Sequence, residues 1–311
     1  MLKSGVVFFI RPMSESFHKK YNSPEDLVAL LTQRGLTIDD AYIASQYIKN
    51  IGYYRLSAYL YPLLEMPKEE QRFKSNSHFN KALELYRFDK KLRLFLFNEI
   101  EKIEISFRST LANMVTEETG NMFWITDLSV FANPNKYNKT IELIDKEVKR
   151  SKEDFILHFK NKYSNPYPPA WMLVEILPLG IVTRIFENIK SNSLKKKIAA
   201  HYELPVPVLT SWLTVITLTR NSCCHHSRVW NRIYAVTPMI AKKLSRPWIN
   251  NSINPLKTFY DICIVKWFVD IISPNNDMKE HLLYLFRAFP NVDVKAMGFP
   301  YQWEQEPLWS K

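Results

Sequence analysis

The residue types best suited to catalysis are concentrated between Arg220 and Arg232. This short stretch contains two histidines, two adjacent cysteines, three arginines and two asparagines. Around it, from Leu204 to Tyr260, the sequence has seven Lys or Arg residues and no Asp or Glu. Imidazoles that titrate near neutral pH, in a segment whose only fixed charges are positive, indicate a site for a polyanion.

Metal-free RNA cleavage is the chemistry that these residue types fit best. The reaction needs a base for the 2′-OH proton, an acid for the leaving 5′ oxygen and a cation for the charged transition state. A histidine exchanges protons near its pKa of about 6.5, and the planar guanidinium of an arginine matches phosphate oxygens. Arg220, Asn221 and His225 supply these groups. The alternative is a hydrogen-bonded core histidine beside arginines that bind phosphate without catalysis.

The run from Cys223 to His226 also contains the residue types of a zinc site. Zinc sites space their ligands so that they converge, as in C-x2–4-C and H-x3–5-H. Consecutive residues of a helix point about 100° apart, so four of them do not surround one ion. We therefore predict no metal and no cofactor, with a zinc site shared between two chains and a nucleophilic cysteine as the alternatives.

The positive charge of the protein lies mainly in the middle of the chain. The net charge is +11, and residues 151–250, with 14 basic and 5 acidic side chains, contribute +9 of it. A local basic patch predicts nucleic-acid binding, and a solvated basic face without a partner is the alternative. The candidate RNA contacts are Arg228, Arg232, Lys195, Lys196, Lys197, Lys242 and Lys243.

Composition and apolar spacing predict an all-α fold. Only 6 of the 311 residues are Gly, which is few for a fold with many tight turns. Apolar residues recur at helical spacing along most of the chain, and there is no internal repeat or heptad run. We predict a helical bundle with additional N-terminal helices and an aromatic C-terminal tail that docks. Residues 1–75 and 76–311 form its two regions, unless they are one continuous domain.

Local signals predict the helices that position the motif. Ser23 before Pro24 predicts an N-cap, and a second helix, beginning at residues 37–40, is expected to pack rather than to read DNA. No Pro or Gly interrupts residues 79–118, which predicts one or two long helices. A charged helix is predicted over 139–159, and the helix that begins near Val208 continues through the motif. On the long helices, most of the following charges are expected to be solvated, with one of them in contact with the basic site: Glu99, Glu101, Lys102, Glu104 and Arg108.

The sequence also predicts a cytoplasmic protein without a membrane partner. Its longest apolar runs, such as Val6–Ile10, are far shorter than the ~18–20 residues that cross a bilayer, and the N-terminus lacks a signal-peptide pattern. The three cysteines, two of them adjacent, do not form a disulfide framework, which fits a reducing compartment.

The motif resembles the signature of Abi-like bacterial proteins (abortive infection, AbiD/AbiF type). That group is similar to the HEPN superfamily, whose ribonucleases carry an Arg, four to six residues and then a His. Other blocks resemble the same family: residues 53–59 with their tyrosines, 88–93 and 99–108 in the central helix, and 298–300 and 307–309 near the C-terminus. The resemblance extends over nearly the whole chain.

This resemblance implies a HEPN-like helical bundle and a metal-independent endoribonuclease toxin of phage defence. Its products would carry 2′,3′-cyclic phosphate and 5′-OH ends. The resemblance assigns catalysis to Arg220 and His225, a supporting role to Asn221 and His226, and a phosphate contact to Arg228. It also implies a homodimer in which two motifs face each other, so that one cleft contains twice the groups. RNA is then the substrate, and an inhibitory non-coding RNA or antitoxin is a further expected partner.

Two other functions fit parts of the sequence. A non-catalytic RNA-binding regulatory protein would use the same basic segment to grip phosphates. A structural interaction module would use the Tyr-rich block at residues 53–59 and would show no salt-sensitive binding of nucleic acid. The tyrosines of this block either stack on bases or form a buried polar core, and the buried core is favoured. The histidines favour the nuclease, because binding alone requires only Arg and Lys.

Overall fold

The computed structural model describes residues 20–250 and 252–310, and this part of the chain is helical with no β-strand, only three isolated β-bridges. The predicted all-α class is confirmed. The run Val6–Ile10 lies outside the described residues. No helix in the described ranges is both long enough and apolar enough to span a membrane. The α-helices are α1 (Pro24–Gln33), α2 (Ala41–Ile51), α3 (Tyr53–Leu60), α4 (Phe79–Thr119), α5 (Pro134–Arg150), α6 (Asp154–Lys162), α7 (Ala170–Ile176), α8 (Leu179–Asn188), α9 (Asn192–His201), α10 (Val206–Cys224), α11 (Thr258–Ile272) and α12 (Met278–Ala288).

The chain divides into two compact units between Leu83 and Glu84, eight residues beyond the predicted boundary. In the first unit α1 packs on α2, and α2 packs on α3. The predicted cap is present, because Ser23 and Asp26 form a reciprocal capping box at the start of α1. In the Tyr-rich block, Tyr59 is buried whereas Tyr54 is exposed.

The second unit contains most of α4, which is a single uninterrupted helix of 41 residues and therefore about 60 Å long. Its apolar face is buried at helical spacing, from Phe88 through Ile100 to Phe107. The expectation that most of its charges are solvated is wrong for Glu99, Glu104 and Arg108. All three are buried, and each is in an ion pair. Burial of these charges is tolerated because each has an opposite partner.

The predicted charged helix over residues 139–159 is two helices, α5 and α6. Between them Ser151 and Glu153 have extended backbone angles. The Glu153 amide donates to the Ser151 hydroxyl at 3.4 Å. A serine that bonds the local backbone competes with helical hydrogen bonds, which explains a break that no Pro or Gly marks.

The core of the second unit surrounds α10 and α11. α10 packs on α8, α9 and α11, and every residue of α11 from Thr258 to Val269 is buried. The C-terminal tail docks as predicted, because the rings of Phe299, Trp303 and Trp309 pack around Phe259.

Candidate functional site

The helix that carries the motif ends inside it, at Cys224. We predicted a continuous helix, and this is wrong beyond that residue. The His225 backbone caps the helix, and His226 adopts the left-handed conformation with φ 55°. The Ser227 amide donates to the Ser222 carbonyl at 2.9 Å, and the His226 amide donates to the Cys223 carbonyl at 3.2 Å. These are the two bonds of a Schellman cap, which satisfies the last carbonyls of the helix.

The end of α10 presents Asn221 and His225 to solvent. Both are exposed, whereas Arg220 is half-buried and Ser222 and Cys223 are buried. At about 100° per residue, Asn221 lies about 100° and His225 about 140° around the helix axis from Arg220. The amide side chain is therefore angularly between the guanidinium and the imidazole.

Arg220 is held by Glu104 of α4. Its Nε donates to Glu104 Oε2 at 3.2 Å, and the side chain is 29% exposed. The other carboxylate oxygen of Glu104 accepts from Arg108, which also donates to the Val174 carbonyl. Within the described part of the chain the terminal nitrogens of Arg220 make no hydrogen bond. The guanidinium thus has a fixed orientation and retains the two donors suited to a phosphate.

The chain leaving the motif is anchored by Asp89, a fully buried residue of α4. Its carboxylate accepts from the Val229 amide at 3.1 Å and from the Trp230 amide at 2.6 Å. It also pairs with Arg93, which reaches the Ser227 carbonyl at 3.4 Å. Residues 227–230 are therefore fixed on α4 by charge-assisted hydrogen bonds.

Arg228 and Arg232 lie together just beyond the helix end. Arg232 Nη1 donates to the Arg228 carbonyl at 3.3 Å, and its guanidinium lies 5.1 Å from the centre of the Tyr234 ring. Asn231, between them, accepts from Lys257 Nζ at 2.9 Å. Both arginines are half-buried. Two of the predicted RNA contacts therefore lie together on the segment that follows His225.

The remaining predicted RNA contacts lie elsewhere on the same unit. Lys242 and Lys243 are exposed and follow Met239, whose amide bonds Ser211 at 2.8 Å. Ser211 is about 13 Å along α10 from Arg220, since the two positions are nine residues apart.

Lys195, Lys196 and Lys197 are on α9, and Lys197 pairs with Glu118. Glu118 is about 21 Å along α4 from Glu104, the partner of Arg220. Lys195 Nζ donates to the Glu187 carbonyl at 2.8 Å, and burial lowers its pKa. These lysines are therefore a separate basic surface.

The acids that pair with the basic segment lie outside it in the sequence. Besides Glu104 at Arg220, Glu203 pairs with Arg246 at 2.9 Å. The absence of acids from residues 204–260 in sequence therefore overstates the positive charge of the folded segment. Asp89 is the anchoring residue that sequence reasoning missed. The only signal was its place in the block at residues 88–93 that resembles the family.

Cys223 is unsuited to nucleophilic attack at neutral pH. Burial, and then the nearby Asp89 carboxylate, raise the pKa of Cys223 to about 12. Cys224 is half-buried. Over residues 20–250 and 252–310, no three His, Cys, Asp or Glu residues are grouped where they could hold a metal ion.

A groove runs beside the motif between α4 and the end of α10. Its cavity volume is about 390 Å³. It is lined by Lys90, Arg93, Leu94 and Phe97 of α4 and by Cys223, Cys224 and His226. We call it the α4–α10 groove.

A family model described as Abi-like protein matches residues 46–231, which is more than half of the chain. The matched range begins in α2 and includes Asp89, Glu104 and the motif up to Asn231. The C-terminal blocks at residues 298–300 and 307–309 lie outside it. No curated protein and no solved structure matches.

Proposed function

The chain belongs to the Abi-like protein family, and from this premise we propose that it is an endoribonuclease toxin of a bacterial abortive-infection system. The proposed reaction is metal-independent: the 2′-OH of a nucleotide attacks the adjacent phosphate and expels the 5′ oxygen of the next nucleotide. The products are a 2′,3′-cyclic phosphate and a 5′-OH end. Family membership supports the abortive-infection role, and the side chains at the end of α10 support the chemistry.

The observation that carries this proposal is the fixed Arg220 beside an exposed histidine. Glu104 orients the guanidinium, whose terminal nitrogens can bind two oxygens of the phosphate and stabilise its growing charge. The His225 imidazole is at the exposed helix end, where it can take the 2′-OH proton or protonate the leaving oxygen. Asn221 donates to a phosphate oxygen between them.

We propose that a second copy of the chain completes the site. One copy offers two histidines at the helix end, and Arg220 and His225 point about 140° apart around α10. In a two-fold dimer of the HEPN type, the histidine of one chain can serve as base and that of the other as acid. The exposed position of Asn221 and His225 leaves this face of α10 accessible to such a partner.

The test is incubation of total RNA with the protein in EDTA, followed by analysis of the RNA ends. We expect cleavage by the wild type, with cyclic-phosphate and 5′-OH ends. His225→Ala should lower the rate by about 100-fold or more, the usual contribution of a general acid or base. His226→Gly is the matched control, because glycine is suited to the left-handed turn at this position. Its effect should be smaller.

Two outcomes would contradict the proposal. Equal cleavage by wild type and His225→Ala would assign the activity to another histidine or to a contaminant. No cleavage by a confirmed dimer that binds RNA would favour the non-catalytic regulator. One observation supports that second function: Glu104 already balances the charge of Arg220, as in a structural ion pair. The regulator should bind RNA through Arg228 and Arg232 with strong salt dependence. The logarithm of its binding constant should fall against the logarithm of the salt concentration with a slope of about −0.7 for each phosphate contact.

A further inference from the structure

We propose that the α4–α10 groove binds one unstacked nucleobase of a single-stranded RNA, next to the phosphate held at the motif. This inference rests on the proposed function, since it deepens the description of the same site. It names the substrate class: RNA with at least one unpaired nucleotide beside the cleavage point. No part of the proposed reaction by Arg220 and His225 requires this groove.

The position of the groove supports a role in substrate binding. His226 lines it and is the next residue after His225, and Cys224 of its wall is the residue before. A nucleotide whose phosphate is at the end of α10 can therefore place its base in this adjoining cavity. The volume of about 390 Å³ falls within the range of small-molecule pockets.

The lining suits a base better than a phosphate. Phe97 is 38% exposed and Leu94 is 56% exposed, although both belong to a helix whose opposite face is buried. Single-stranded RNA is commonly recognised by stacking its bases on exposed aromatic rings. Phe97 supplies such a ring, and Leu94 supplies an apolar edge beside it.

Charge also favours a nucleic acid over another occupant. Among the lining residues there is no carboxylate, and Lys90 lies exposed at the rim. A base in the groove would bring its ribose phosphate toward this ammonium group. A base paired in a duplex would have to leave its stack to enter, at a cost of a few kcal/mol. Single strands therefore bind in preference to duplexes.

The experiment measures RNA binding by the His225→Ala variant, so the result does not depend on cleavage. The probe is a fluorescent single-stranded RNA of ten nucleotides, together with a series in which one base at a time is removed to leave an abasic ribose. Stacking on one aromatic side chain corresponds to about 5- to 150-fold in affinity. We expect one abasic position, and no distant one, to weaken binding by a factor in this range.

The variant Phe97→Ala should weaken binding of the intact RNA by a similar factor, and Phe97→Trp should restore it. The abasic RNA and Phe97→Ala together should lower the affinity no more than either change alone, as expected for two groups in direct contact. Phe155→Ala is the matched control. Phe155 is the same residue type at 37% exposure, but it lies on α6 outside the groove. The affinity of the Phe155→Ala variant for RNA should equal that of the His225→Ala protein from which it is made.

Three results would overturn the inference. The first is salt-dependent binding in which no single abasic position lowers the affinity, which would show that no base occupies the groove. The second is equal binding of single-stranded and duplex RNA. The third is a dimer that Phe97→Ala converts to monomer in sedimentation, which would make the groove a contact between two copies of the chain. Absence of cleavage by wild type would instead refute the nuclease and leave the binding result standing, so the two failures are distinguishable.

Discussion

Replacement of Asp89 should release the segment that follows the motif while α4 remains helical. The carboxylate is 0% exposed and accepts from the Val229 amide, the Trp230 amide and Arg93. Asp89→Ala breaks the buried ion pair with Arg93, and loss of one partner of such a pair costs about 3–5 kcal/mol. Each orphaned amide adds about 1–3 kcal/mol unless water reaches it. These terms overlap, so we expect a loss of about 4–6 kcal/mol, comparable to the whole stability of many domains.

Asp89→Asn is the informative variant, because it retains the volume and one acceptor but removes the charge. A hydrogen bond to a charged group contributes about 1.5–3 kcal/mol and a neutral one about half as much. We therefore expect a loss of about 2–3 kcal/mol in the free energy of unfolding. Urea unfolding followed by circular dichroism measures it. Hydrogen exchange should show faster opening at Val229 and Trp230 than at amides in the middle of α11.

The double variant Asp89→Asn with Arg93→Met provides the control. If the cost comes from breaking the Asp89–Arg93 ion pair, removal of both charges should recover part of the loss, giving a non-additive cycle. The assignment of Asp89 as the anchor of the motif would be refuted if the free energy of unfolding of Asp89→Asn is within about 0.5 kcal/mol of the wild-type value and the hydrogen-exchange rate at Trp230 is unchanged.

Three further predictions follow from single residues. Burial raises the pKa of Asp261 to about 8, so the folded protein holds a proton that the unfolded chain loses above about pH 4. The stability of the wild-type protein relative to the Asp261→Asn variant should therefore fall as the pH rises from about 4 to about 8. The midpoints of urea unfolding across this pH range measure the difference. At His226, with φ 55°, both Gly and Ala remove the imidazole, and the Gly variant should be more stable by about 1 kcal/mol in the same assay. At Gly298, with φ 90°, a Cβ would lie 2.5 Å from Lys257 Cβ, so Gly298→Ala should lower stability by about 2 kcal/mol or more, with loosening of the C-terminal tail visible in tryptophan fluorescence.

Helix positions were predictable where the sequence carries local signals. The capping box at Ser23 and the uninterrupted apolar spacing of α4 gave boundaries within a residue or two. The break between α5 and α6 and the end of α10 were missed for the same reason. Neither has the Gly or Pro that usually marks such a point, and the left-handed position of α10 is occupied by His226.

The polar framework of the site was not predictable, because its partners are distant in sequence. Asp89 bonds amides about 140 residues away, and Glu104 reaches Arg220 across 116 residues. Helical spacing shows which residues share a face, but whether a charge on that face is buried depends on a partner that only the fold supplies. The motif therefore identified the candidate catalytic residues, while the groups that hold them remained hidden.

The spacing of the two anchors on α4 gives a physical reason for the end of α10. Asp89 and Glu104 are fifteen residues apart on a continuous helix, hence about 22 Å. The segment that they hold runs from Arg220 to Val229, and as a helix these nine steps would rise only about 14 Å. Long side chains at Glu104 and Arg220 make up part of the difference, but Asp89 contacts backbone amides directly. The chain therefore leaves the helix after Cys224 to reach the second anchor, and this turn is what places His225 at an exposed helix end.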